Sequence, residues 1–439
     1  MPACLLACPP DLAALRAAQP DCFPLLLESS GSSGWDLLFF SPDPVRTWPL
    51  AEAPAFWQAF DDAWQSRQIL AADPACAALP FTGGWIYFLG YELLHSLEPR
   101  VRLRDWPEAF PVAALARSPG AVLIDREHGC GWLVAESQHW LTRLQQRLVA
   151  IARGDRPRLP VLGPLAVAED DPVQFLDGVK RIKHYIREGD VFQVNLSRGW
   201  QIRLDAGHSA DRVYADLRQA NPAPFSGLFD LGRWQIVSSS PERLLQVRAG
   251  RALTRPIAGT HPRSADEAED AALRARLAAS TKERAEHVML IDLERNDLGR
   301  ICQPGSVRVD ELMAVTSYRY VHHIESTVSG QLREAISPVQ ALRAMFPGGT
   351  ITGCPKVRTM QIISELETAP RNAYTGSLGY LNHDGSLDSN ILIRSFMQQG
   401  DRLWFRAGAG IVADSDPERE LQETRAKARG LLRALGLAG

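Results

Sequence analysis

Short apolar runs alternate with helical segments along this chain, but in no regular βαβ order. That irregularity limits the architecture more than any other feature. Apolar runs at 37–40, 85–89, 121–124 and 131–135 read as strands, and a helix at 140–151 follows them. Further strand-turn units return after 190. A doubly wound parallel sheet needs strict alternation of strand and helix, so it is excluded. The expected class is α/β of the α+β kind, layered, with antiparallel sheets. A stretch rich in Pro and Gly, 153–172, breaks the periodicity and reads as a linker. It divides an N-terminal region, 1–155, from a C-terminal region, 170–436, within a chain long enough to hold both in one globular unit.

Charge narrows the function. Lys and Arg total 48 against 51 Asp and Glu, a net charge of −3. No basic excess exists to drive binding to a phosphate backbone, so no nucleic-acid role is expected. Seven scattered cysteines without a CxxC spacing read as reduced thiols of a cytoplasmic protein. No run of 18 apolar residues occurs, so no membrane span is expected.

Local signals place the elements that carry chemistry. Asp171 caps a helix with Pro172 at its first position, Phe175, Val179, Ile182 and Ile186 on one face, and Gly189 at its end. A strand at 191–197 sends Phe192, Val194 and Leu196 one way and Gln193, Asn195 and Ser197 the other. A polar strand face is how a cleft is lined. Ala249-Gly250 marks a hairpin, and helices follow at about 264–279 and 280–297.

Ser280 and Glu283 fit a capping box, and Glu283 and Glu286 share one face of that helix. Asp416 and Pro417 start the last helix, which aligns Glu420, Glu423 and Lys427. Two helices with paired carboxylates suit Mg²⁺, which takes oxygen ligands. From spacing alone, solvated helix faces are the commoner reason for such pairs. Residues 407–414, AGAGIVAD, mimic a dinucleotide fingerprint but leave no room for a second strand. A glycine turn offering backbone N–H groups to an anion remains open. FPGGTITGCPK, 346–356, lacks the ending of a phosphate loop. Arg394 lies in an apolar-flanked strand, either paired in the core or aimed at a carboxylate. The pair His322-His323 precedes another strand-like run, and Glu242 follows a strand end where an acid can face a cleft.

Nine segments then occur in one order: DVFQVNLSR, SSSPER, RPIAGT, KERAEHVMLIDLERNDLGR, HHIEST, FPGGTITGCPKVRTM, GSLGY, IRSF and AGAGIVADSDPERELQET. Together they resemble the chorismate-utilising enzymes, which include anthranilate, aminodeoxychorismate, isochorismate and salicylate synthases. The resemblance spans about residues 173–432. It implies an anthranilate synthase component I-like fold, two stacked β-sheets flanked by helices with the site between them. It also implies chorismate as substrate and Mg²⁺ as cofactor. By the same resemblance Glu286 and Glu423 hold the metal, with Glu283 and Glu420 in support. Arg394 and Tyr374 hold the enolpyruvyl carboxylate, with Gly259, Thr260, Gly408, Ala409, Gly410 and Lys427 nearby. His323 and Thr350 match pocket positions. Glu242 matches the general acid that helps the C4 hydroxyl leave.

Water-using members of this family carry a lysine base where this chain has Gln193. Glutamine is no base, so the resemblance implies ammonia as nucleophile. QVNLSR, HHIEST, FPGGTITG and the segment 82–98 are similar to aminodeoxychorismate synthases, the aminating transferases of 4-aminobenzoate and folate biosynthesis. Those enzymes carry a lysine in PIKGT, whereas Ala258 stands in PIAGT here, as in anthranilate synthases. The implied function is amination of chorismate to 4-amino-4-deoxychorismate, with anthranilate formation as the alternative. A separate glutamine amidotransferase is the implied ammonia source. Leu27, Glu28 and Ser29, with Pro224, Phe225 and Ser226, resemble the tryptophan pocket of the family.

Overall fold

The computed structural model describes residues 1–437 except 68–75, 77, 104–108, 154–162, 206, 265 and 319–320. Two sheets form among the described residues, twelve- and ten-stranded, with every pairing antiparallel. The first runs in the order β1 (Ala3–Leu6), β8 (Cys130–Ala135), β7 (Gly120–Asp125), β3 (Trp35–Phe40), β2 (Leu25–Glu28), β11 (Phe225–Asp230), β12 (Gln235–Ser240), β21 (Ser395–Gln399), β22 (Arg402–Ile411), β10 (Gln193–Leu204) and β18 (Gly353–Cys354). Strand β9 (Pro164–Glu169) also pairs with β10. The second runs β15 (Ile257–Pro262), β17 (Val321–Gln331), β14 (Arg251–Arg255), β13 (Arg243–Arg248), β20 (Leu387–Asn390), β19 (Ser377–Asn382), β5 (Gly84–Leu89), β6 (Ala113–Ser118) and β4 (Arg46–Trp48). Strand β16 (Arg308–Ser317) adds to β17.

The sheets stack face to face because their strands are apolar on both faces. In β3, Leu37 and Phe39 enter the core between the sheets, where Phe39 meets Tyr380 of β19 at 5.6 Å between ring centroids. Leu38 and Phe40 point the other way, under the helices α1 (Leu12–Ala18), α3 (Gln138–Arg153), α5 (Ala210–Ala220) and α10 (Pro417–Ala434). Period-two alternation with both faces buried explains why this strand reads as an unbroken apolar run. On the far side of the second sheet lie α2 (Ala53–Gln65), α6 (Glu267–Ala279), α7 (Thr281–Gly299) and α8 (Pro338–Met345). Helices α4 (Pro172–Arg187) and α9 (Lys356–Leu366) cover β10.

Phe56 of α2 is fully buried among Trp48, Trp57 and Phe60. Phe56→Ala should cost about 3–5 kcal/mol through lost burial and a cavity, read as a lower urea midpoint with an unchanged slope.

The caps of α4 and α10 form as expected. Asp171 accepts from Val173 N–H, Asp416 from Arg419 N–H, and Gly189 stops α4 at φ +80°. Ala249 and Gly250 turn the β13–β14 hairpin at positive φ. Three expectations need correction. Residues 154–162 of the linker at 153–172 lie outside the described residues, but Pro164–Glu169 is strand β9, not coil. Both sheets draw strands from either side of it. Phe192 precedes β10 and is 67% exposed, so it does not share the apolar face of Val194 and Leu196. The capping box at 280–283 is half made. Ser280 accepts from Glu283 N–H, but the Glu283 carboxylate points instead toward Gly259. Among the described residues no helix is long and apolar enough to cross a membrane, and the seven cysteines are unbridged.

Candidate active site

The cleft is built where β10 and β22 of the first sheet meet β15 and β17 of the second, closed by α7 and α10. Its floor follows from glycines. Asn195 pairs with Gly410 and Ser197 with Gly408 across the β10–β22 ladder. A side chain at Gly408 would stand 2.7 Å from both Asn195 Oδ1 and Tyr374 Oη, and one at Gly410 would collide with the Gln193 amide. The missing Cβ atoms therefore leave room for three polar side chains. These glycines lie inside β22 and form no anion-binding turn, contrary to the expectation from AGAGIVAD. Ala409 needs a similar correction. Strand alternation sends its methyl to the helix side, beside Leu421, so only its backbone borders the cleft.

Tyr374 is displayed by a tight turn. Asn372 and Thr375 on either side hold φ +54° and +62°. Such left-handed non-glycine residues cost about 1–3 kcal/mol each and persist only where neighbours hold them. Glu92 does so, accepting from the N–H groups of Arg371 and Asn372 at 2.8 Å each. Burial pushes the Tyr374 phenol up to about 12, so it acts as a neutral donor.

Arg394 is not in a strand. It sits at the corner between β20 and β21 with φ +53°, its carbonyl held by Ser239 N–H at 3.1 Å. Among the described residues it forms no ion pair. Burial lowers its pKa while Glu242 pulls the other way. A half-buried guanidinium with no ion pair among the described residues is a built site for a carboxylate.

Glu242 lies at the β12–β13 corner, 5% exposed, with Oε1 lacking a hydrogen-bond partner among the described residues. Burial pushes it up to about 8, and the carboxylates of Glu294 and Glu325 add to the effect. The Thr350 hydroxyl approaches and pulls back, short of hydrogen-bond geometry. Glu242 is thus a protonated acid at neutral pH. His323 of β17 places Nδ1 3.0 Å from Gly259 O. Burial, with Arg394 beside it, lowers its pKa to about 4. The ring is therefore neutral, and Nδ1 donates to the carbonyl, which leaves Nε2 as an acceptor. His322 faces the opposite way, to Asp270 at 3.0 Å and Ser317 at 2.8 Å, and is structural. Gln193 is 7% exposed, and its buried Oε1 has no hydrogen-bond partner among the described residues. Thr260 pairs with His323 in the β15–β17 ladder, and its side chain lies outside the described residues.

The carboxylates of α7 and α10 face one another. Burial pushes Glu286 up to about 7, and repulsion from Glu283, Glu423 and Glu420 adds to it. Glu420 is also raised by burial. Burial opposes ionisation of Glu423, but Lys427 at 2.8 Å outweighs it and lowers the pKa. Lys427 Nζ also donates to Gly408 O at 2.9 Å, linking this cluster to the floor. A Cβ on Gly259, at φ +60°, would stand 2.9 Å from Glu283 Oε2, so strand β15 abuts the same cluster. Among the described residues no three such side chains converge as a ready ligand set. The donors fit a hard divalent cation all the same. They are oxygens that repel one another, and Mg²⁺ takes one or two carboxylates and keeps waters or substrate oxygens.

A second cavity, of about 560 Å³, opens between the sheets. Leu27, Glu28, Ser29, Pro224 and Phe225 line it, joined by Arg243, Asp388 and Tyr380. Ser226 does not line it. Its hydroxyl donates to Ala223 O at 2.9 Å, closing the turn before β11. Sequence reasoning also missed Arg371 and Glu367, fully buried behind the floor. They pair with each other four residues apart, but their other partners, Asn195 and Ser197, are remote in sequence, and no local pattern marked the two as part of the site.

Comparison with known proteins agrees with this geometry. Residues 15–433 match the family described as chorismate binding enzyme. The chain is 42% identical over 360 residues to the anthranilate synthase component I-like protein of Synechocystis sp., covering 81% of this chain and 73% of that protein. It is 40% identical over 377 residues to aminodeoxychorismate synthase component 1 of Bacillus subtilis, covering 82% and 78%. The crystal structure of anthranilate synthase component I from Streptococcus pneumoniae matches with a TM-score of 0.79 at 31% identity, over 92% of this chain and 93% of that one. With fold, cleft and similarity in agreement, the chain belongs to the chorismate binding enzyme family, as an enzyme of the anthranilate synthase and aminodeoxychorismate synthase type.

Proposed function

We propose that this chain aminates chorismate with ammonia to 4-amino-4-deoxychorismate, as the large subunit of an aminodeoxychorismate synthase. The observation that carries amination is Gln193, a buried amide with no ionisable group at the edge of the cleft. It cannot deprotonate water, whereas ammonia attacks with its own lone pair. The two carboxylates of the substrate find separate partners. Arg394 and Tyr374 take the enolpyruvyl carboxylate, and the ring carboxylate lies toward Lys427 and the glutamates of α7 and α10. Glu286 and Glu423 would hold Mg²⁺, supported by Glu283 and Glu420, and the bound ion supplies positive charge that orients the ring carboxylate. As the new C–N bond forms, the C4–O bond breaks. Glu242 gives its proton to the departing oxygen, which leaves as water. His323, neutral, accepts from a substrate hydroxyl without adding charge.

Ala258 supports a second reading. It offers no amine that could add to the ring, and relatives named anthranilate synthase stand beside those named aminodeoxychorismate synthase. On that reading ammonia attacks C2 and the product is anthranilate with loss of pyruvate. A product assay separates the two. The chain is incubated with chorismate, Mg²⁺ and ammonium, with and without aminodeoxychorismate lyase. We expect 4-aminobenzoate only when the lyase is present. Anthranilate formed without it overturns the first reading. Ala258→Lys should leave 4-aminobenzoate formation intact or raise it, and a switch to anthranilate would contradict the assignment.

Relatives are named component 1, which supports a separate glutamine amidotransferase as ammonia source. The 560 Å³ cavity, with Glu28 and Asp388 at its wall, suits the ammonium group and ring of tryptophan.

A further inference from the structure

We infer that Arg371 is a positioning residue that sets the geometry of the carboxylate-binding end of the cleft by tying three of its walls together. The inference rests on the proposed roles of Tyr374 and Arg394.

Arg371 is 1% exposed and uses its guanidinium in every direction. Nη2 donates to Asn195 O at 2.7 Å, on the floor strand. Nη1 donates to Ile351 O at 2.9 Å, next to Thr350, and to Thr375 Oγ1 at 3.3 Å, next to Tyr374. Its Cζ lies 5.5 Å from the Tyr374 ring centroid and 4.9 Å from that of Tyr91. Glu367 braces the head with two bonds, at 2.7 and 3.0 Å. Asn195 N–H also donates to Thr352 O at 2.9 Å, so floor and loop are joined twice. None of these contacts reaches the substrate space directly. They end on the floor strand at Asn195, at Ile351 beside Thr350, and at Thr375 and the ring of Tyr374.

A lysine keeps the charge but has no planar fork, so it cannot serve all these acceptors at once. Arg406 is the natural control. It is nearly as buried and bonds Glu367 and Ser197, but among the described residues it makes no hydrogen bond to the turn of Tyr374 or the loop of Thr350 and acts on the Tyr374 phenol only through its charge. A purely structural cluster predicts that both substitutions lower stability alike and leave KM alone. A positioning role predicts a split.

The test compares steady-state kinetics and chorismate titration calorimetry for wild type, Arg371→Lys and Arg406→Lys, with thermal midpoints recorded for each. We expect R371K to raise KM and Kd for chorismate about tenfold or more while kcat falls less than about threefold, and R406K to keep wild-type KM. Equal KM in R371K and wild type overturns the inference, as does an equal rise in both variants. If R371K yields no folded protein, Glu367→Gln carries the test. Raised KM with retained kcat supports the assignment, and unmoved KM overturns it. A wild-type chain that neither binds nor turns over chorismate removes the proposed function itself, whereas the outcomes above remove this inference alone.

Discussion

Glu242→Gln should lower kcat about 10²–10⁴-fold while leaving chorismate binding nearly unchanged, because it removes a proton donor needed only as the C4–O bond breaks. Glutamine keeps the shape and fills the same buried corner between β12 and β13. The wild-type profile supplies the second readout. Burial, with Glu294 and Glu325 nearby, holds the Glu242 pKa up at about 8. Measured at saturating free ammonia, kcat should be level below that value and fall as the acid ionises above it. The residual activity of E242Q should lose this alkaline limb. A variant with wild-type kcat, or one that retains the limb, removes Glu242 as the acid.

The same shift predicts a change in stability. The folded state holds the Glu242 proton to about pH 8, whereas the unfolded chain releases it near 4.5. The stability this group contributes is full below the unfolded value and is lost as pH rises through the folded one. E242Q should therefore lose less of its thermal midpoint than wild type between pH 5 and 8.

The second large effect concerns α7 and α10. Glu423→Gln and Glu286→Gln should each lower Mg²⁺-supported turnover at least about 100-fold, the size expected when several kcal/mol of ligation is lost. EDTA should do the same to wild type. Glu286 gives a readout apart from activity. Its carboxylate is half-buried and repelled by Glu283, Glu423 and Glu420. In metal-free buffer above pH 7, where Glu286 is charged, E286Q should raise the thermal midpoint. Below pH 4, where Glu286 is protonated in both states, the gain should vanish. Added Mg²⁺ should stabilise wild type by mass action and E286Q little. Full activity with either variant sinks the metal assignment.

Much of the site was legible before any tertiary structure, because local chemistry marked it. Polar residues at every second position of 193–197 announced a lined cleft, and Gln193 and Asn195 line one. Paired glutamates at helical spacing announced two acidic helix faces. What spacing left open was whether those faces were solvated. Glu286 and Glu420 are drawn inward by the fold, and burial raises both pKa values, with repulsion from the carboxylates of both helices adding to it at Glu286 and from Glu423 at Glu420. The glycines of 408–410 misled for the opposite reason. As a string they suggested a turn, but the β10 partner strand extends them flat, so their small size serves close approach instead of bending. Arg394 was read inside a strand because its neighbours are apolar. The hydrogen bonds of its carbonyl to Ser239 hold it in a left-handed corner that no propensity favours.

By itself the sequence determined the layered antiparallel class, the capped helices α4 and α10, the hairpin at Ala249-Gly250, and the residue types of the proposed site. These depend on interactions within a few residues or on side-chain chemistry carried in any context. The tertiary structure alone decided which groups meet. Glu242 is acidic at neutral pH because the stacked sheets exclude water from it. Arg394 is free because no carboxylate of the described residues pairs with it. Arg371 spans Asn195, Ile351 and Thr375 because strands and turns nearly 180 residues apart in the chain converge on one buried point. Desolvation and convergence are properties of packing, and packing is not written in any single stretch of sequence.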